Sequence, residues 1–447
     1  MKIVKFQENV INGNDESTLS WVETKKDVQL MVEVFTTEEN FQALAPHWKD
    51  LARRADSKVY MSYEWAWNWW KRFGRNKKRS LYLVTIWDGT KLVALAPFYK
   101  GYSKLGPLVM ERRMQIIGSG GSPNEQIGYT DDYGISDFLD ILVDQEYHEE
   151  VADLLPDILT AEYLNVDVLT FHQADDESFV MKHLYPKFRQ LEIDMRVEKT
   201  DTCPYIDLRG YDSMKSYIKD QKSNARRRIR QTLRATGPND EYEIKGADTW
   251  AEVEKATDKL IELHQNRWNE IGFPGVFYDE RFIQFFKDII KDAFENDKLW
   301  FKQAIDERGV CASRMILFYN GRYYDYISGF DDNRPSSKYR PGIGLLVSLV
   351  QEAIENGVEK IELLRGEETY KYDFTSNNFN NWKLTMPLRE PNGKTLLSVN
   401  RSAAFLYKHI NRETELLKVQ QSQVGLVRML PEYLKFRWKS VKMKFDL

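Results

Sequence analysis

Residues 322–330, RYYDYISGF, and 340–364, RPGIGLLVSLVQEAIENGVEKIELL, carry the reading that decides the fold. The first segment alternates as a strand. The second opens on Pro341, Gly342, Ile343 and Gly344, continues as an apolar helix over 345–354, stops at Asn356-Gly357, and ends in the strand-like EKIELL. A proline just inside a helix and a glycine just beyond it mark start and stop. Working back toward the N-terminus, LWFKQAI (299–305), a turn at Arg308-Gly309, VCASRMILFY (310–319) and a turn at Asn320-Gly321 place two antiparallel strands before RYYDYISGF. The stretch therefore reads as a three-strand meander, a glycine turn, a helix and a strand.

The same order stands earlier in the chain. MVEVF (31–35) reads as a strand, Thr37 as an N-cap, and Phe41, Leu44, Trp48 and Leu51 as a helical stripe. EYEIK (241–245), Asp248 as cap, and the stripe Trp250, Val253, Ala256, Leu260, Leu263 and Trp268 repeat it. Aromatic helices over 63–73 and 280–294 follow in each copy. LYLVTIW (81–87), the turn Asp88-Gly89 and LVALAPFY (92–99) then match the later meander. The earlier copy continues with a strand at 114–117, a glycine-rich loop (118–121), strands at 138–143 and 166–171, and a helix over 147–160 between them. The expected fold is α/β (α+β): two tandem units of mixed, mostly antiparallel sheets flanked by helices. The units are expected at 31–200 and 201–390, with a short strand at 204–208 and one basic connecting helix at 211–236. Residues 1–30 form an N-terminal extension and 391–447 a basic helical tail.

Composition narrows the chemistry. The 447 residues carry 64 Lys plus Arg against 68 Asp plus Glu, a net charge of −4, so no global field draws the chain to nucleic acid or membrane. Two cysteines, Cys203 and Cys311, and six scattered histidines offer no metal-ligand spacing, so no metal is expected. No apolar run reaches the ~18–20 residues of a membrane span, and the polar first thirty residues lack a signal-peptide core, so a cytoplasmic location is expected. The cluster Trp65, Trp67, Trp69 and Trp70 is assigned to a core or an inter-unit seam.

At Lys338–Gly344 glycines, two cations and a helix start make an anion site: Lys338 and Arg340 supply charge, and Gly342, Ile343 and Gly344 supply backbone approach. A plain capping turn explains the same glycines. Asp325, between Tyr324 and Tyr326, is a carboxylate whose proton affinity burial would raise, or a solvent-facing strand residue. The helix around Arg226 and Arg230 carries arginines on several faces, so some of them meet a partner, either a phosphorylated ligand or acidic residues of the first unit. The acidic stretch holding Asp132, Tyr133 and Asp137 lines an acceptor cleft or is a solvated loop.

The doubled element order resembles the GNAT acyltransferase fold. SNARRRIRQTLRATG (223–237), DFLDIL (137–142) and RGEETYKYDF (365–374) resemble the CelD/BcsL-type acetyltransferases associated with cellulose biosynthesis and, more distantly, the FemABX aminoacyltransferases. The resemblance spans 31–388. It implies acetyl-CoA as acyl donor, bound at Lys338, Arg340, Gly342, Ile343 and Gly344, and an amine or hydroxyl of a sugar or cell-envelope precursor as acceptor. It also implies Asp325 as base, Tyr370 as proton donor to the leaving sulfur, and Lys371 as holder of a phosphate or the oxyanion. The polysaccharide-synthesis machinery is the implied partner. The alternatives are aminoacyl transfer from charged tRNA and a catalytically inactive scaffold.

Overall fold

The computed structural model describes residues 7–8, 19–25, 28–76, 78–105, 108–121, 134–237, 240–270 and 275–388. The first half comprises β1 (Gln7–Glu8), β2 (Leu19–Lys25), β3 (Val28–Phe35), α1 (Glu38–Ala43), α2 (Ala45–Arg54), α3 (Tyr63–Trp69), β4 (Arg79–Asp88), β5 (Lys91–Leu105) and β6 (Leu108–Ile116). After these come β7 (Leu142–Val143), α4 (His148–Leu159), β8 (Val168–Asp175), α5 (Tyr185–Gln190) and β9 (Arg196–Asp207). The second half comprises α6 (Met214–Asp220), α7 (Ser223–Arg234), β10 (Glu243–Gly246), α8 (Trp250–Glu270), α9 (Glu280–Glu295), β11 (Leu299–Asp306) and β12 (Gly309–Tyr319). It ends with β13 (Arg322–Phe330), α10 (Pro341–Glu355), β14 (Lys360–Glu362) and β15 (Asn378–Pro387).

One sheet runs through both halves in the order β1-β2-β3-β4-β5-β6-β8-β15-β9-β14-β13-β12-β11-β10, with β7 on β5. Each half is antiparallel until a single parallel pair, β6 with β8 in the first and β13 with β14 in the second. The halves are stitched by exchange. β9 crosses residue 200, where the sequence suggests a division; its earlier part pairs with β15 and its last three residues pair with β14. β15, the last described strand, returns to lie between β8 and β9. Part of the N-terminal extension also joins the sheet, as β2 on β3.

Helices seal the faces. Trp65 of α3 meets Phe285 of α9 edge-on at 5.0 Å and Tyr326 of β13 at 5.3 Å, so the tryptophan cluster packs the seam between the halves. Asn68 bonds Asp292 at 2.5 Å and Arg72 bonds Asp288 at 2.8 Å beside it.

Three expected elements differ. The single basic helix at 211–236 is two helices, α6 and α7, because Gln221 and Lys222 take extended backbone (ψ 157° and 151°) in a polar run with no apolar side chain to bury. The strand expected at 138–143 shrinks to Leu142–Val143, since Phe138 sits at φ 52°. Thr249, not Asp248, caps α8: its hydroxyl accepts from the Glu252 amide while Glu252 Oε2 accepts from the Thr249 amide at 2.9 Å.

Candidate active site

β13 and β14 pair only from Arg322–Lys360 to Tyr324–Glu362, and then diverge. A bulge begins the divergence: Asp325 faces Ile316 and Ile327 faces Met315, which leaves Tyr326 without a partner on β12. The gap opens into a cleft of about 690 Å³, lined on one side by Asp325–Ser328 and on the other by Leu363, Leu364, Arg365 and Tyr370. The N-terminus of α10 closes one end with Arg340, Pro341, Gly342 and Ile343. Two non-glycine residues at this cleft hold left-handed backbone, Arg340 (φ 56°) and Leu364 (φ 59°). Such conformations cost of order 1–3 kcal/mol and cluster where function fixes geometry.

Inside the cleft Arg314 of β12 is the organising cation. It is the one charge in VCASRMILFY, its side chain is 3% exposed, Nη1 is bonded to the Asp325 carboxylate, and Nη2 donates to the Gly342 carbonyl at 3.0 Å. One guanidinium thus ties the meander to the start of α10. Burial raises the Asp325 proton affinity, and the Arg314 and Lys371 charges offset that only in part. Burial pushes the Tyr370 phenol up to about 12, with Arg314 opposing, so it stays protonated across the physiological range. His264 of α8 also lines the cleft; burial pushes it down to about 4, so its ring is neutral, and Nδ1 is buried without a hydrogen-bond partner among the described residues.

The first half supplies one wall. Gly134, Ile135 and Asp137 line the same cleft, Asp137 pairs with Arg365 at 3.1 Å, Arg365 donates to the Gly134 carbonyl at 2.7 Å, and Tyr326 donates to the Ile135 carbonyl at 3.3 Å. Burial raises the proton affinity of Asp137 as well.

The structure gathers Asp325, Tyr370, Lys371, Arg340, Gly342, Ile343 and Asp137 around one cleft. Lys371 lines the cleft with its ammonium already engaged by the protein. Its buried Nζ donates to the carbonyls of Leu364 (3.2 Å), Arg365 (2.8 Å) and Gly366 (3.2 Å) and sits 2.9 Å from Glu368, four acceptors for three N–H groups. It holds the 364–366 loop in shape. Gly344 is buried rather than exposed to a ligand: a Cβ there would meet the Tyr242 hydroxyl at 2.1 Å, so the glycine serves helix packing. Lys338 is exposed, with Nζ over the Tyr339 ring at 4.7 Å, and lies outside the cleft lining. Arg226 and Arg230 line a separate groove on α7. Asp132 and Tyr133 lie outside the described residues, as does the 391–447 tail. Arg314 and His264 were missed; a lone arginine within an apolar strand was the signal available for the first.

Residues 223–372 match the family model described as Acetyltransferase (GNAT) domain. The match covers about a third of the chain. The matched stretch contains Arg314, Asp325, the α10 turn and Tyr370, and so carries nearly the whole cleft lining. Among solved structures, FemX matches with a TM-score of 0.54 at 9% identity, covering 77% of this chain and 96% of that one. That likeness shows the shared fold. A GCN5-related N-acetyltransferase from Sphaerobacter thermophilus matches at TM-score 0.34 and 10% identity, covering 80% and 96%. A conserved protein of unknown function from Bacteroides thetaiotaomicron matches at 0.45 and 9%, covering 78% and 97%. No curated protein matches the chain by sequence. Among the described residues no helix is long and apolar enough to cross a membrane, and no group of three His, Cys, Asp or Glu has the geometry of a metal site.

Proposed function

We propose that the chain transfers an acyl group, acetyl in the simplest case, from acyl-CoA to an amine or hydroxyl acceptor in the GNAT-domain cleft. The observation that carries this reading is the open gap between β13 and β14, with Asp325 on one lip and Tyr370 on the other. The cleft suits a pantetheine arm: it has an apolar side at Ile327, Phe330 and Ile343, and it carries the exposed Arg340 at the α10 end. A Cβ at Gly342 would meet the Phe330 ring at 3.4 Å, an ordinary contact, so no neighbour crowds the backbone there. The bound donor would supply a thioester carbonyl.

The chain's residues account for the rest. The acceptor nitrogen or oxygen bonds to the thioester carbon, the C–S bond breaks, the acceptor proton passes to Asp325, and Tyr370 protonates the departing sulfur. Beyond Tyr324 the β13 edge facing the gap has no strand beside it, so its amides are available to the developing oxyanion. The Asp137–Arg365 pair from across the seam sets the acceptor-side wall. By the CelD/BcsL resemblance the acceptor is a sugar or envelope precursor, with exopolysaccharide synthesis as its setting. A FemABX-like transfer from charged tRNA is the second reading, and the FemX fold likeness favours it.

Titrating acetyl-CoA and CoA by calorimetry, with thiol release measured against amino sugars and polysaccharide precursors, tests the proposal. Saturable binding with acceptor-dependent release supports it. A chain that binds no CoA yet turns over aminoacyl-tRNA moves the assignment to the second reading.

A further inference from the structure

We infer that the arginine face of α7 receives the nucleotide end of the acyl carrier, a 3′-phosphorylated adenosine diphosphate, outside the cleft and around the start of α10. The inference rests on the acyl-CoA reading above. α7 buries Ala225, Ile229 and Thr232, which fixes the helix and turns Arg227, Arg230 and Arg234 outward. On the same helix Arg228 is paired with Asp373 at 2.6 Å, and Arg226 donates to the Lys219 carbonyl at 3.2 Å. Arg227, Arg230 and Arg234 have no carboxylate partner among the described residues. At 1.5 Å rise per residue the Cα atoms of these three residues span about 10 Å along one face. Like charges that close repel unless an anion sits between them, and guanidinium forks match phosphate oxygens in pairs.

The arginines line a groove of about 1000 Å³ that has an aromatic ring in its wall, the half-buried Tyr339. A ring beside clustered guanidiniums suits a base stacked next to its phosphates. The groove is bounded. Asp240 and Glu241 line it too, and their carboxylates oppose a phosphodiester chain running on in their direction, so a nucleotide with two or three phosphates fits better than a polymer. Tyr339 and Arg340 are consecutive, the first lining the groove and the second the cleft, so one ligand reaches both by passing the α10 N-terminus. This places phosphate recognition on α7 rather than on Lys338 and Gly344.

Calorimetry on the full chain tests the assignment with three probes: CoA, dephospho-CoA, and a single-stranded RNA of about ten nucleotides. The variants are Arg227→Ala/Arg230→Ala/Arg234→Ala and the matching triple lysine. The expected result is CoA binding about ten-fold or more weaker in the alanine triple and partly restored in the lysine triple, with unchanged thermal melting. The preference for CoA over dephospho-CoA disappears in the alanine triple. Undiminished CoA binding by a folded alanine triple overturns the inference and leaves the acyl-CoA reading intact. Failure of the wild-type chain to bind CoA overturns both. RNA binding tighter than CoA, and lost in the alanine triple, reassigns the groove to nucleic acid and also overturns it.

Discussion

The two halves share one strand plan and differ at its most consequential point. In the second half the parallel pair β13 and β14 diverges and the gap stays open. In the first half β6 and β8 pair from Arg113–Val168 to Gln115–Thr170 and then diverge in the same way. There the gap is filled by the chain's own insertion. Leu139 donates to the Gln173 carbonyl of β8 at 3.0 Å, and Ser136, Phe138 and Leu139 are at most 2% exposed. The Ser136 hydroxyl accepts from Trp65 Nε1 at 2.8 Å, and a Cβ on Gly134 would meet the Gly118 and Gly120 backbone at 2.7 Å. The repeated plan thus leaves one gap open and one occupied by protein. The plug also serves the other half, because Gly134, Ile135 and Asp137 line the open cleft. The first half is a wall of the site as well as a support for it.

The largest expected break in that contrast comes from Arg314. Arg314→Leu strands the Asp325 carboxylate without its partner and frees the Gly342 carbonyl. A loss of about 3–5 kcal/mol in urea unfolding is expected, with activity lost. Adding Asp325→Leu restores most of the stability and none of the activity. Next is Tyr370→Phe, expected to lower kcat about 10²–10⁴-fold with little change in stability. The pH profile sharpens the assignment. Because burial raises the Asp325 proton affinity, the base form appears only as pH climbs past the usual carboxylate range, so activity rises with pH through a limb displaced upward from that range. Asp325→Asn removes that limb along with the activity. A limb that survives this change assigns the base elsewhere.

Much of this contrast could be read from residues alone, for physical reasons that also explain what could not. The meander, the glycine turn and α10 announce themselves through alternation, turn residues and a helix stop, and they bring Asp325, Gly342 and Tyr370 together. β15 escaped notice because buried Asn381 interrupts its apolar alternation; its amide bonds Gln173 at 2.6 Å instead of packing. With β15 unseen, the strand exchange between halves was unseen too. The plug was hidden for a related reason: DFLDIL has strand composition, but Phe138 adopts left-handed backbone and the segment enters a gap that only tertiary structure creates. Lys371 lines the cleft with its ammonium already engaged, and Gly344 lies buried behind the lining. Spacing locates a cation or a glycine without revealing that three carbonyls or a tyrosine hydroxyl already occupy it. Gly344→Val accordingly costs about 1–3 kcal/mol through overpacking against Tyr242, and any loss of CoA binding tracks that instability.

The smallest effect is the most discriminating, because it separates two neighbouring residues of the insertion. Ser136 accepts from Trp65 inside the filled gap, whereas Asp137, one position on, pairs with Arg365 in the open one. Ser136→Ala removes one buried hydrogen bond and is expected to cost about 1 kcal/mol of stability, with kcat and KM unchanged. Asp137→Asn keeps the size and removes the charge facing Arg365. Its stability cost is expected to be similarly modest, since burial already penalises the carboxylate, but the freed guanidinium is expected to raise KM for the acceptor. Measuring unfolding and acceptor KM on both variants decides whether the insertion only fills its own gap or also shapes its neighbour's. Equal, purely thermal losses from both would reduce the first half to a support.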